Sequence, residues 1–165
     1  MTRRLTIAII GLAAVFAAAP SARAQVSEVE LKAAFVYNFA LFTAWPRETL
    51  PQGRPLSICA MTAAAQVDAL RQLGGRTVSG HTVNVSATPG IGACHVVVYQ
   101  PDASLTPAAA GALTVCDGPE QACRDAVITL VREGDRVRFD VDSARARAKG
   151  LSLSSKLLRL ARRVR

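Results

Sequence analysis

The stretch from Val29 to Pro46, VELKAAFVYNFALFTAWP, is the segment whose surroundings in the folded protein are set most narrowly by its residues. It holds five of the eight aromatic residues, Phe35, Tyr37, Phe39, Phe42 and Trp45. Between Leu31 and Trp45 only Lys32, Asn38 and Thr43 are polar. Glu28, Glu30 and Lys32 open the run and Pro46 closes it, so its roughly 15 apolar positions fall short of a membrane span. A helix this apolar on nearly all sides must be covered by other protein. Its aromatic face, Phe35 through Trp45, is therefore expected in a core, at a subunit interface, or lining a pocket.

The residues ahead of that helix point to export. Arg3 and Arg4 form a positive start, Leu5 to Ala19 an apolar run, and Ala22-Arg23-Ala24 a small-residue cleavage site. This is the pattern of a signal peptide over residues 1–24, cut after Ala24. An uncleaved membrane anchor is the alternative, and the apolar run is short for one. The expected mature chain, residues 25–165, suits one domain with a single core. It contains no further run long enough to span a membrane.

Arg3, Arg4 and Arg23 supply three of the net +8 charges, so the mature chain carries +5. Eight cations and no acid fall between Ser143 and Arg165, which leaves −3 for the rest. The basic character belongs to the tail. In an exported protein this argues against nucleic acid and for an anionic membrane surface or an acidic protein face. A solvated helix face with cations at its C-terminus is the plainer reading.

Cys59, Cys94, Cys116 and Cys123 make an even set, which in an oxidising compartment implies two disulfides. Three connectivities are possible. Cys116 and Cys123 enclose a short Asp-Gly-Pro loop that easily brings them together, and Cys59 with Cys94 would then tie two strand-like segments. Metal ligation lacks a C-x-x-C pair, and the two histidines fit no zinc spacing.

Helical and strand patterns alternate along the chain. Ser27 with Glu30 predicts a capping box for the first helix, ended by Pro46. Strands are expected at Leu56–Ala60, Cys94–Gln100 and Leu113–Cys116, and hairpins over Arg76–Ser86 and Ala126–Val141. A helix is expected over Thr62–Leu73, closed by Gly74-Gly75, and at most a short one at Pro107–Gly111. Asp142 can cap a helix running to Lys149, stopped by Gly150. A last helix, Leu151–Val164, is capped by Ser152, Ser154 or Ser155, with Leu153, Leu157, Leu160 and Val164 on one face. Beside it, Val137, Phe139 and Val141 share one strand face, partly docked beneath that helix. The Arg159, Arg162, Arg163 edge has no acidic neighbour in sequence to neutralise it. The fold class expected is α/β: a single disulfide-stabilised domain with a mixed sheet flanked by helices on both faces.

No catalytic constellation emerges. Gly90-Ile91-Gly92 lacks the third glycine of a dinucleotide loop, since position 95 is His95. His81 sits at a hairpin. His95 follows Cys94 directly, so on a strand the two side chains face opposite ways. Asp140 and Asp142 could pair as carboxylates, but a helix cap is the simpler role for Asp142. Neither catalytic residue, metal nor cofactor is expected.

The run from Val29 to Pro46 resembles the opening helix of the YfiR family of periplasmic proteins, close to E-x-K-A-A-F-x-Y-N-F-x-x-F-x-x-W-P, at Glu30, Lys32, Ala33, Ala34, Phe35, Tyr37, Asn38, Phe39, Phe42, Trp45 and Pro46. Val137 to Val164 is similar to the family's closing strand, its A-R-x-x-G-L element and its S-S-x-L-L-x-L-A helix. Cys116 to Ala126 departs from the pattern, being shorter and without a Gly-rich lead. The resemblance implies a regulator that represses an inner-membrane diguanylate cyclase through that enzyme's periplasmic domain and is released when an outer-membrane lipoprotein sequesters it or when reducing conditions disturb its disulfides, linking envelope or redox state to cyclic-di-GMP signalling. It implies a homodimer with pairs Cys59–Cys94 and Cys116–Cys123. The candidate partner or dimer residues are Phe35, Tyr37, Phe39, Phe42, Trp45, Val137, Phe139, Val141, Arg159 and Arg163. A small-ligand-binding protein with a pocket beside the first helix is the alternative.

Overall fold

The computed structural model describes residues 27–87, 94–103 and 111–165. The expected signal peptide, Gly90-Ile91-Gly92 and most of the expected Pro107–Gly111 helix lie outside them. In chain order the elements are α1 (Glu28–Leu41), β1 (Thr43–Ala44), β2 (Leu56–Met61), α2 (Ala64–Arg71), β3 (Thr77–Val78), β4 (His81–Ser86) and β5 (Val96–Tyr99). They continue with β6 (Leu113–Asp117), β7 (Ile128–Glu133), β8 (Arg136–Val141), α3 (Ser143–Ala148), β9 (Ser152–Leu153), α4 (Ser155–Leu160) and β10 (Arg163–Val164).

Eight strands form one mixed sheet in the order β10-β8-β7-β6-β5-β2-β4-β3. The central five, β7, β6, β5, β2 and β4, are mutually parallel. β8 runs antiparallel to β7 and β3 antiparallel to β4, as tight hairpins require. β10 lies parallel to β8 and closes that edge. β1 and β9 form a separate antiparallel pair. The result is the mixed α/β domain that the alternating pattern predicts. At the β3–β4 turn Ser79 and Gly80 have φ of 49° and 87°. Both central residues of a two-residue hairpin turn of this hand need positive φ, which explains Gly80, while Ser79 adopts it despite its Cβ.

Alternation along the strands divides the core in two. Val96 and Val98 of β5 face the cluster built with Val36, Phe39 and Ala40 of α1 and Val67 and Leu70 of α2. Val97 and Tyr99 face the other way, toward Cys116, Cys123 and Ala126. The Phe139 ring of β8 meets Phe39 at 4.9 Å and Phe35 at 5.7 Å between centroids, both edge-on. Such aromatic pairs add about 0.5–1.5 kcal/mol beyond the area they bury.

Two helix ends differ from the sequence reading. α1 begins with the expected capping box, Ser27 and Glu30 exchanging hydrogen bonds. It stops at Leu41 and not at Pro46, because Thr43 and Ala44 pair with Leu153 and Ser152, while the Thr43 hydroxyl donates to the Phe39 carbonyl at 2.7 Å. The last helix is six residues, not fourteen. Ser154 caps it, Ala161 turns extended (φ −64°, ψ 142°), and the Arg162 N–H donates to Phe139 O at 2.8 Å, starting β10. Val164 is thus a strand residue. Leu160 is not part of an inward stripe either, at 64% exposed. Asp142 caps α3 as expected, accepting from the Arg145 N–H at 2.7 Å.

Candidate functional site

The four cysteines pair as Cys59–Cys94 and Cys116–Cys123, with Cα separations of 5.8 and 5.7 Å. The first bond joins neighbouring parallel strands, β2 and the lead into β5. The second closes the loop that leaves β6. Cys116 and Cys123 are 0% and 2% exposed. Gly118 in that loop lies so close to Pro101 that a Cβ would stand 2.5 Å from the ring.

This loop forms one wall of a cleft of about 480 Å³, bounded by Lys32, Asp117, Glu120, Leu130, Arg132 and Arg162. Charge is paired around it. Lys32 Nζ lies 2.8 Å from Glu28 and 2.9 Å from Asp117, and Arg132 reaches Glu28 at 2.8 Å. Burial alone would push the Lys32 ammonium down, but the two carboxylates outweigh it and hold its pKa above the ordinary value. Hydrogen bonding to Lys32, with its charge, lowers the Glu28 carboxyl in turn.

The arginine edge is not unneutralised, as the sequence alone suggests. Arg162 makes a two-pronged contact with Asp140, 2.8 Å from Nε and 2.6 Å from Nη2. Glu120 receives Arg163 and Arg165 at 2.9 Å each, with Arg162 at 3.7 Å. A carboxylate from the disulfide loop, 43 and 45 residues away in sequence, tethers the C-terminal strand. Asp140 has a side chain 1% exposed. Its hydrogen bonds to Arg162 hold its pKa below the usual carboxylate range despite burial. Asp140 and Asp142 are therefore no carboxylate pair: one is bound to Arg162 and the other caps a helix.

His95 is a structural hub. Its Nδ1 accepts from the Ser57 N–H at 3.0 Å. Its Nε2 meets the Thr49 carbonyl at 3.2 Å, so Nε2 carries the proton. Its own carbonyl accepts from Trp45 Nε1 at 3.2 Å and the Leu113 N–H at 2.8 Å. Burial pushes its pKa below 6.5, which favours the neutral ring this arrangement needs. His81 Nδ1 is held at the Arg54 carbonyl, 2.7 Å away. Among the described residues no group of three or more His, Cys, Asp or Glu side chains is arranged to hold a metal.

The candidate contact residues separate into two kinds. Phe39, Val137, Phe139 and Val141 are 0–9% exposed, inside the domain, and give no free surface. The strand row packs against α1 through Phe139 and does not form an exposed apolar edge. Phe35, Tyr37, Phe42 and Trp45 are partly buried against the core. The Tyr37 hydroxyl donates to Thr77 O at 3.0 Å, and Arg76 lies 5.3 Å over its ring. Trp45 is not on the helix at all. The outward face of α1 is instead Leu31, Ala34 and Asn38, at helical spacing and exposed. Between α1 and α2 runs an open groove of about 750 Å³ lined by Val29, Ala33, Ala34, Ala69, Leu73 and Arg76. Arg159 is exposed and Arg163 is bound to Glu120.

No helix among the described residues is long and apolar enough to cross a membrane. Compared with known proteins, the chain matches one family model, described as YfiR/HmsC-like, over residues 29–162. No curated protein matches it.

Proposed function

Because the chain belongs to the YfiR/HmsC-like family, whose members are regulators and not enzymes, we propose that it is a periplasmic repressor of a membrane diguanylate cyclase, acting on that enzyme's periplasmic domain. The family match over residues 29–162 is the observation that carries this reading, since it spans almost every described residue. Two disulfides fit an oxidising compartment, and with it an exported chain cut after Ala24. Release from the cyclase would follow capture by an outer-membrane lipoprotein.

The outward face of α1 is the proposed contact surface for a second copy or for the cyclase. Leu31 at 39% exposed, Ala34 and Asn38 present a strip without charge of its own, with Glu30 at its N-terminal end and the partly buried Phe35 and Phe42 beside it. Interfaces are poor in charge at their centre and rich in aromatic residues. The test is capture of the disulfide-bonded protein by the immobilised periplasmic domain of a diguanylate cyclase from the same cell, compared with Ala34→Glu. Specific capture that Ala34→Glu abolishes supports the assignment. Capture unaffected by Ala34→Glu moves the surface elsewhere, and absence of capture argues against the partner.

The groove between α1 and α2 favours a second reading, a small-ligand-binding protein with its pocket beside the first helix. A thermal-shift screen decides it. A ligand at 100 times its Kd would add about 2.7 kcal/mol to stability and raise the melting temperature by several degrees.

A further inference from the structure

We propose that the outward face of α4, formed by Lys156, Arg159 and Leu160 with Val164 beside it in sequence, seats the domain on an anionic phospholipid surface. Nothing in the regulatory reading requires this, and the inference does not depend on it.

α4 is anchored from below by Leu157, 2% exposed. Arg159 lies opposite it around the helix, and Lys156 and Leu160 are exposed beside it. Lys156, Arg159 and Leu160 stand at spacings of three and four and share the solvent side. Leu160, 64% exposed, is the most exposed large apolar side chain among the described residues, and Val164 at 44% is the next. Both lie in the one stretch of the chain, residues 143–165, that has eight cations and no acid.

Three acids that reach this corner are already engaged. Asp140 is held by Arg162, Glu120 by Arg163 and Arg165, and Asp142 by the α3 cap and Arg145. Lys156 and Arg159 have no ion pair among the described residues, so their charge is unspent. A protruding leucine beside long cationic side chains suits a soft anionic phase. The leucine enters the acyl boundary while the ammonium and guanidinium groups stay with the phosphates and their methylene stems cover apolar surface. A rigid protein partner would need a matching socket for Leu160 and fixed acids opposite two flexible cations. A contact through one exposed leucine and two cations would be peripheral and reversible.

The test is sedimentation of the exported protein, recovered from the periplasm with its disulfides intact, with vesicles of phosphatidylcholine alone or mixed with phosphatidylglycerol. The wild type should sediment with the mixed vesicles and not with phosphatidylcholine. Lys156→Gln combined with Arg159→Gln should weaken that binding about thirtyfold. Leu160→Ser should weaken it about tenfold while leaving the preference for anionic lipid. All three positions are exposed, so circular dichroism should show an unchanged fold. Failure to bind mixed vesicles, equal binding to both, or binding indifferent to these substitutions would overturn the proposal. So would loss of cyclase capture in the double variant with no vesicle binding by the wild type, which would make the face an acidic-protein site. The vesicles contain no cyclase, so this result is independent of the regulator assignment.

Discussion

Replacing Arg162 with Ala should be among the most damaging single changes to the C-terminal half, although Arg162 lies three residues from the chain end. Asp140 has a side chain 1% exposed and is held by two hydrogen bonds of 2.6 and 2.8 Å, both from Arg162. Removing one partner of a buried pair leaves an uncompensated charge and costs about 3–5 kcal/mol. The Arg162 side chain is 25% exposed, so water can enter the vacated space, and the lower figure of about 3 kcal/mol applies. In a domain of this size that lowers the melting temperature by about 6–12 °C. Urea unfolding should show the midpoint falling with an unchanged slope. The pH dependence gives a second signature. Because Asp140's pKa is lowered on folding, its stabilisation is complete above the unfolded aspartate value and is lost as pH falls through the folded value. Arg162→Ala should flatten that acid limb. Replacing both residues with Leu should cost less than Arg162→Ala alone, since no charge is then stranded. A loss under about 0.5 kcal/mol in Arg162→Ala, or an unchanged acid limb, would show that Arg162 does not hold Asp140 ionised in the fold.

Other outcomes follow from the same contacts. Opening Cys59–Cys94, which spans 35 residues, should cost about 4 kcal/mol against about 2.4 for the seven-residue Cys116–Cys123 span in the chain-entropy model, as read by melting of the two double-serine variants. Gly118→Ala should destabilise by about 1–3 kcal/mol in urea melts, because its Cβ would meet the Pro101 ring at 2.5 Å. Neutral His95 accepts from the Ser57 N–H, and burial lowers its pKa from 6.5. Its contribution is therefore full above pH 6.5 and lost as pH falls through the folded value, a slope that His95→Gln should remove from stability measured across that range.

Much of the fold is legible in the residues because its signals are local. Ser27 and Glu30 announce the start of α1, Ser79-Gly80 and Gly134-Asp135 announce hairpins, and the unbroken run Val96–Tyr99 reads as a central strand. The errors fall where a distant partner decides. α1 stops five residues before Pro46 because Thr43 pairs with Leu153, 110 positions on. The apolar spacing of Leu157, Leu160 and Val164 continues past α4, but backbone bonding of Arg162 to Phe139 diverts the chain into β10. The acidic neighbours of the arginine edge were hidden in the same way, since Glu120 and Asp140 come from a loop and a strand elsewhere. One signal was available. Asp140 falls on the sheet face opposite Val137, Phe139 and Val141, beside Thr129 and away from water, and a buried carboxylate needs a cation. The outward strip Leu31–Ala34–Asn38 was obscured because a helix apolar all round gives no phase from which to choose a face.

The proposed repression of a membrane cyclase is read most directly in cellular cyclic-di-GMP. The measurement compares cells lacking this protein with the same cells supplied with the wild-type chain. Cyclic-di-GMP should rise when the protein is absent and return to its former level when it is restored. A level that stays the same, or falls, in its absence would contradict the claim.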